Sequence, residues 1–177
     1  MKRKERLVLV YFTEEDFEQL IGWIDSPQLL MQWAGPQFQF PLTRNQLMNY
    51  VQGANAEESE VYIFKGMDLE TNEVIGHICL NKIDRERQSG RIGKVFLHKD
   101  FRGSGYGEEM VKQIMSIAHE QYGIQTLGLA VFDFNVAAIK LYERIGFKKT
   151  TYKENARKYG DEYWNLWEMD IKTNEVP

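Results

Sequence analysis

The sequence predicts a single α+β domain built on a mixed, mostly antiparallel α/β sheet with helices on both faces. Two patterns support this prediction. Three strand-like segments follow one another between residues 61 and 97, and beyond residue 106 helical stripes alternate with apolar strand segments. The chain has 177 residues, of which 43% are hydrophobic and 27% charged, as expected of one globular unit. We therefore assign residues 1–177 to one domain.

The first part of the chain is predicted to form one strand followed by helices. Residues 7–12 alternate in the way that strand side chains do, and Thr13 begins a capping-box pattern before an apolar helical stripe. Ser26, which precedes a proline, and Thr43 each mark a further helix N-terminus. The aromatic segment Ala34–Leu42 between these helices is predicted to be a loop.

The remaining segments complete the sheet and its helical cover. Strands are predicted at Val61–Lys65, Val74–Lys82, Arg91–Leu97, Thr126–Phe132, Phe147–Tyr152 and Tyr163–Ile171. Helices are predicted from Gly107 to Tyr122 and over Val136–Ile145. Short polar turns join the first three of these strands into an antiparallel meander. The almost continuously apolar strand at 126–132 is typical of one that is covered on both faces.

Composition argues against several classes of function. The net charge of −4 argues against a protein that binds nucleic acid through its overall field. The single cysteine, Cys79, and three scattered histidines cannot supply a zinc cage, so no metal is expected. No stretch approaches the ~18 apolar residues of a membrane span, and no secretory signal develops at the N-terminus. We expect a cytoplasmic protein without membrane or nucleic-acid partners, and we interpret the basic residues at positions 2–6 as a solvated end.

A glycine-rich segment is the most informative local feature. Residues 101–107, Phe-Arg-Gly-Ser-Gly-Tyr-Gly, separate a predicted strand from a long helix. Glycines allow the backbone to approach a ligand closely, and a helix N-terminus offers unpaired N–H groups that suit phosphate. The segment lacks the Gly-Lys-Ser/Thr ending of a P-loop, and its third glycine comes one residue too soon for a dinucleotide-binding fingerprint. On spacing alone, a flexible turn into a helix is the alternative.

Two motifs in order resemble those of the GNAT acyl-CoA N-acyltransferases. Arg102, Gly105 and Gly107 match the family's R/Q-x-x-G-x-G/A signature. Residues 135–147, Asn-Val-Ala-Ala-Ile-Lys-Leu-Tyr-Glu-Arg-Ile-Gly-Phe, match its N-x-x-A…L-Y-x-x-x-G-F pattern. The resemblance runs from about residue 61 to residue 149. The segments around Trp33 and Phe40 look like the RimJ/RimL-type branch, whose members modify protein N-termini or small amines.

The resemblance implies a GNAT-type fold and an N-acetyltransferase that uses acetyl-CoA as co-substrate and no metal. In such proteins the loop amides hold the pyrophosphate, and the pantetheine arm lies where the central strand splays from its neighbour. Carried over to this chain, the cofactor-binding residues are Val95, Phe96, Leu97, Arg102, Gly103, Ser104, Gly105, Tyr106, Gly107, Asn135 and Tyr142. The acceptor is expected to be a primary amine, on a small molecule or a protein N-terminus. Homodimers are common in the family, so a homodimer is a candidate assembly.

Amine acetylation needs an acid for the leaving thiolate, an N–H donor for the oxyanion and a base for the amine. Tyr142 stands where the resembling enzymes carry the acid, although it also belongs to an apolar helix stripe. Aromatic residues between Trp23 and Tyr50, together with the segment Tyr159–Trp167, are expected to build the acceptor side.

The general base is not identified by the motifs. Many GNAT sequences have a glutamate where this chain has Arg91. The candidates that remain are an ordered water and the side chains of Asp84, Glu86, His98 and Glu168. The missing glutamate motivates an alternative function, a non-catalytic acyl-CoA-binding sensor or interaction module.

Overall fold

The structure is a computed structural model that describes residues 4–175. Its strands are β1 (Leu7–Tyr11), β2 (Tyr62–Asp68), β3 (Val74–Asp84), β4 (Ser89–Leu97), β5 (Thr126–Phe132), β6 (Lys148–Tyr159) and β7 (Glu162–Lys172). Its α-helices are α1 (Phe17–Trp23), α2 (Pro27–Ala34), α3 (Arg44–Val51), α4 (Tyr106–Tyr122) and α5 (Val136–Ile145). The strands form one sheet in the order β1-β2-β3-β4-β5-β7-β6, which confirms the predicted mixed sheet.

The sheet is antiparallel except at its centre, where β4 and β5 run parallel. Their pairing is short, because only Ser89, Gly90 and Arg91 of β4 have partners in β5. Beyond Arg91 the two strands separate. The splayed strand pair that the resemblance implied is therefore present.

Each face of the sheet has its own helical cover. On one face, Met110 and Ile114 of α4 and Ile139 of α5 are buried against the sheet in one apolar cluster. On the other face, α1, α2 and α3 bury Phe17, Trp33 and Leu47 in a second cluster. The helices on both faces were predicted from their N-terminal caps and apolar stripes, and the structure confirms them.

The C-terminal hairpin is longer than the sequence predicts. β6 begins after Phe147 and continues to Tyr159, seven residues beyond the predicted end at Tyr152. Almost every residue of β6 is exposed, so the strand shows no alternation of buried and exposed positions from which it could have been found. It is an edge strand rich in Lys and Arg, a composition that discourages pairing with other chains.

His77 of β3 is buried among aromatic rings beneath the α1–α3 cover. Its ring lies 4.7 Å from that of Phe12 and 5.5 Å from that of Trp33, centroid to centroid. Its Nε2 is 3.0 Å from the Tyr50 hydroxyl, and its Nδ1 has no hydrogen-bond partner within residues 4–175. Burial, followed by the charge of Lys94, lowers the pKa of His77 to about 3. The imidazole is therefore neutral in the folded protein at all ordinary pH values.

This neutral histidine should make stability depend on pH. In the unfolded chain His77 has a pKa near 6.5, so it binds a proton below that pH, whereas in the folded protein it stays neutral. Lower pH therefore stabilises the unfolded state relative to the folded state. Between pH 7.5 and 5.5 the free energy of unfolding should therefore fall by about 1.4 kcal/mol more in the wild type than in His77→Gln. Denaturant unfolding of both proteins at the two pH values measures this difference. Equal pH dependence in the two proteins would contradict a buried neutral imidazole.

Candidate active site

The separation of β4 from β5 opens a cleft of about 460 Å³ in the centre of the sheet. Its walls include Arg91–Val95 from β4 and Leu129–Phe132 from β5. The end of α2, Asn135 and Tyr142 also line it. Along this edge β4 has no strand partner in the described chain beyond Arg91. An extended ligand entering the cleft would therefore meet unpaired backbone groups.

A β-bulge shapes the cleft edge of β4. His77 pairs with Phe96 and Cys79 with Gly93, so β4 has one residue more than β3 in this interval. Lys94 lies at the bulge with a φ of +47°, and its carbonyl accepts a hydrogen bond of 2.9 Å from Trp33 Nε1. Bulges re-aim the backbone, and this one is fixed in place by a tryptophan from α2.

The predicted pantetheine-binding residues of β4 differ in where their side chains lie. Val95 lines the cleft. Phe96 is buried on the other side and stacks on Trp23, with ring centroids 5.4 Å apart. Leu97 packs against the α4 side of the sheet. Because the His98 N–H donates to the Ile75 carbonyl, the N–H and C=O of Leu97 point away from β3, towards the unpaired edge.

The glycine loop turns sharply into α4. Gly103 and Gly105 have φ values of +81° and +92°, in the left-handed region that favours glycine, and Gly105 is the N-cap of α4. The first N–H groups of α4 therefore lack helical partners at the surface where the loop ends. Arg102 lies beside the loop, and its Nε donates to the Leu97 carbonyl at 2.9 Å. These features share the geometry and charge of the anion sites that helix N-termini offer.

The side chain of Tyr106 belongs to the scaffold of the loop. Its hydroxyl donates to Asp68 Oδ1 at 2.7 Å, so only its backbone amide lies at the start of α4. The guanidinium of Arg6 lies 4.3 Å from the centroid of the Tyr106 ring. Arg6 also donates to the Ser104 carbonyl at 2.9 Å and forms an ion pair of 2.6 Å with Glu109.

Arg6 therefore corrects the interpretation of residues 2–6 as a solvated end. Lys2 and Arg3 of that basic run lie outside the described residues. Arg6 ties β1 to the glycine loop across 98 sequence positions, because its guanidinium bonds both to the loop and to α4. No local pattern in the sequence indicates a contact over that separation.

Tyr142 and Asn135 lie on the opposite wall of the cleft. Tyr142 is 7% exposed, and burial raises the pKa of its hydroxyl to about 12, so it is protonated at neutral pH. It can therefore donate a proton into the cleft but cannot act as a base there. The Asn135 side chain accepts from the Ala138 N–H at 3.4 Å and caps α5, which gives it a structural role in addition to its position on the cleft wall.

Comparison with known proteins identifies this arrangement. Residues 6–148 match the family described as "Acetyltransferase (GNAT) domain". The chain belongs to the GNAT acetyltransferase family. Among known structures, the spermidine N-acetyltransferase from Vibrio cholerae in complex with CoA and spermine superposes on this GNAT chain with a TM-score of 0.83. The two are 16% identical over 96% of this chain and 97% of that one, a level of identity that shows a common fold.

The curated relatives of this GNAT chain match it in part. The probable spermine N(1)-acetyltransferase of Bacillus subtilis subsp. natto (strain BEST195) is 33% identical over 67 residues, which are 37% of this chain and 44% of the relative. The SPbeta prophage-derived N-acetyltransferase YokL of Bacillus subtilis (strain 168) is 27% identical over 112 residues, 62% of this chain and 60% of YokL. The chain thus spans about half the length of these relatives.

The candidate bases predicted for this GNAT chain do not line the cleft. Glu168 is held by Arg91 at 2.7 Å and by Lys153 at 3.2 Å. Burial raises the pKa of the Glu168 carboxyl, whereas its hydrogen bonds and ion pairs with Arg91 and Lys153 lower it by a larger amount. The net shift of the pKa is therefore downward. Such a carboxylate is a weak base. The position where a glutamate was expected is therefore occupied by Arg91, which forms an ion pair with Glu168 and offers no base.

The other candidate bases lie outside the cleft as well. Asp84 accepts from the Arg87 N–H at 2.9 Å, and Glu86 is exposed in the turn that follows β3. His98 accepts from the Asp100 N–H at 3.3 Å, and its ring lies 5.7 Å from that of Trp23. No protein carboxylate in residues 4–175 is placed to take a proton inside the cleft.

The acceptor side was predicted as a region, and the structure refines it. Gln32–Gln37 and Leu166 line the cleft, within the two predicted segments. Phe38 and Tyr50 instead pack together in the core, with ring centroids 5.6 Å apart. Sequence reasoning missed Arg157 and Lys82, which also line the cleft. Within residues 4–175, no helix is long and apolar enough to cross a membrane, and no cluster of three metal-ligating side chains is found.

Proposed function

We propose that this GNAT chain is an acetyl-CoA-dependent N-acetyltransferase that acetylates a primary amine by direct attack on the thioester. The observation that carries the proposal is one of position. The unpaired edge of β4 and the protonated Tyr142 line one cleft. The glycine loop follows the end of β4, and a Cβ on its Gly107 would lie 3.1 Å from Leu141, the neighbour of Tyr142 in α5. In this proposal residues 1–177 act as one domain, without a metal.

The proposed binding of acetyl-CoA uses mainly the backbone. The amides of Gly103–Gly107 hold the pyrophosphate, and Arg102 adds a positive charge beside it. The pantetheine arm pairs with backbone groups near Val95, Phe96 and Leu97 that face away from β3, as an added strand would. Asn135 lies on the wall past which the arm runs. The left-handed glycines, the orphan N–H groups of α4 and the splayed strands support this assignment.

The proposed reaction forms one C–N bond and breaks one C–S bond. The neutral amine attacks the thioester carbonyl, and an N–H group at the unpaired edge of β4 stabilises the oxyanion. The thiolate leaves with the proton of Tyr142, which the raised pKa keeps on the hydroxyl at neutral pH, and Tyr142 then regains a proton from solvent. Because no carboxylate lines the cleft in the described chain, we assign removal of the amine proton to ordered water that relays it to solvent.

The names of the relatives support an amine acceptor but leave its identity open. Those relatives are described as spermine or spermidine N-acetyltransferases, and they match this chain over a part of their length. A protein N-terminus as acceptor, membership of the RimJ/RimL-type branch, homodimer formation and a cytoplasmic location stay predictions.

Calorimetric titration with acetyl-CoA tests the proposal, with ATP and NADH as controls that lack the pantetheine arm. We expect acetyl-CoA to bind with a dissociation constant in the micromolar range and the controls to bind far more weakly. Addition of a panel of primary amines should then release free thiol. Binding without thiol release from any amine would favour the sensor function. Absence of acetyl-CoA binding would contradict the proposal as a whole.

A further inference from the structure

The cleft wall is positively charged. The basic residues that line it are Lys82, Arg91, Lys94 and Arg157, and no acidic residue in the described part of the chain lines it. Lys82 and Arg157 are exposed, and neither forms an ion pair with a carboxylate in residues 4–175. The cleft therefore presents unneutralised cations to whatever enters it.

Three of these cations lie on the face of the sheet that α1–α3 cover. Lys94 Nζ is 5.0 Å from the centroid of the Tyr50 ring in α3. Arg157 Nε is 3.8 Å from the point that a Cβ on Gly35, at the end of α2, would occupy. Ile92 is buried against the α4 face, so its neighbour Arg91 points to the opposite face.

The proposed phosphate site is apart from these cations. The glycine loop follows the end of β4 and leads into α4, and none of its residues lines the cleft. The four cations line the cleft from β3, β4 and β6, so they are not part of the loop that would hold the phosphates of acetyl-CoA. Their charge is available to the second substrate, which must approach the thioester from the remaining side of the cleft.

The carboxylate that pairs with Arg91 does not cancel this charge. Glu168 is shared between Arg91 and Lys153, so two cations face one anion. Arg157 uses one N–H in a bond of 2.8 Å to the Ala156 carbonyl, and its guanidinium has further donors in a planar fork. A guanidinium of this kind matches a carboxylate or a phosphate with two parallel hydrogen bonds.

We propose that the acceptor is a small primary amine that also bears a carboxylate or phosphate group, and that Arg157 binds this anion with the support of Lys82 and Lys94. The inference rests on the proposed function and adds a substrate class to it. A polyamine would carry several positive charges into a cleft lined by cations, where no carboxylate of residues 4–175 lines the wall to receive them. The acceptor named for the curated relatives therefore does not suit this cleft.

Matched pairs of amines test the proposal through the rate of thiol release at saturating acetyl-CoA. Phenylalanine against 2-phenylethylamine reports on a carboxylate, and glucosamine 6-phosphate against glucosamine reports on a phosphate. We expect the member that bears the anionic group, in at least one pair, to have a kcat/KM at least about tenfold higher than its partner without that group, with spermidine the poorest substrate. The pair that shows the preference identifies which anion is recognised.

Substitution of Arg157 supplies the second arm of the test. Arg157→Gln should reduce the preference for the anionic amine by about tenfold and leave the dissociation constant of acetyl-CoA unchanged. Lys158→Gln, which removes a positive charge from the next, exposed residue of the same strand, is the matched control and should change neither quantity.

The outcomes separate this inference from the proposed function. If spermidine or the amines without an anionic group are the better substrates, or if Arg157→Gln leaves the preference unchanged, the acceptor class is wrong while N-acetylation stands. If no amine releases thiol from bound acetyl-CoA, the proposed function fails and the inference fails with it.

Discussion

Replacing Gly105 with glutamate is expected to weaken acetyl-CoA binding by at least about a hundredfold in a chain that still folds. Gly105 is the N-cap of α4, and a side chain there begins 3.2 Å from Arg6 Nη2, in the loop that we propose holds the pyrophosphate. A carboxylate at this position would repel the phosphates and compete for the same N–H groups. Calorimetric titration measures the loss, and far-UV circular dichroism confirms that the fold is kept.

Gly53→Glu is the matched control for this substitution. Gly53 also has a positive φ, +75°, so the backbone strain of a non-glycine residue is similar, but a Cβ there has nothing within 4 Å. It follows α3, away from the loop, and its substitution should leave acetyl-CoA binding intact. If Gly105→Glu binds acetyl-CoA as tightly as Gly53→Glu does, the loop does not hold the phosphates.

Substitution of Tyr142 by phenylalanine should lower kcat by about a hundredfold or more and change the acetyl-CoA dissociation constant by less than about threefold. The ring is retained, so the buried contacts of α5 with Phe147 survive and only the proton donor is lost. Burial raises the pKa of this hydroxyl to about 12, so the wild-type group stays protonated throughout the range in which activity is measured. Single-turnover thiol release separates the chemical step from binding.

Tyr11→Phe removes a hydroxyl from an exposed tyrosine on β1 and provides the comparison. Its kcat should equal that of the wild type. An unchanged kcat in Tyr142→Phe would remove Tyr142 from the mechanism and would leave solvent as the proton source for the thiolate.

The parts of the fold that local patterns determine were predicted from the sequence. The helices carry caps and apolar stripes, and the central strands alternate or are continuously apolar, so each segment of the chain indicates its own conformation. β6 was underestimated because its stability comes from pairing with β7, while its own side chains are exposed at almost every position. The hydrophobic pattern of such a strand does not indicate where the strand begins or ends.

The residues of the candidate site likewise fall into those that a local motif indicates and those that only the fold brings together. The glycine loop and Tyr142 belong to motifs with fixed spacing, and both were found from the sequence. Arg157 reaches the cleft only because the long hairpin places it beside the end of α2, and Arg6 reaches the loop only because β1 lies next to α4. Contacts between distant segments depend on the assembled fold, so no spacing rule indicates them.

The hydrogen bond from Arg6 to Ser104 and its ion pair with Glu109 order the glycine loop when the protein folds, before any ligand binds. A glycine-rich loop that ordered only around its ligand would lose backbone entropy at the moment of binding, at roughly 1–2 kcal/mol for each residue fixed. Here the chain has already given up that entropy on folding, and an arriving anion meets donors that are in position. The affinity of the loop is thus set in part by the residue that precedes the first strand, whose own guanidinium is already engaged within the protein.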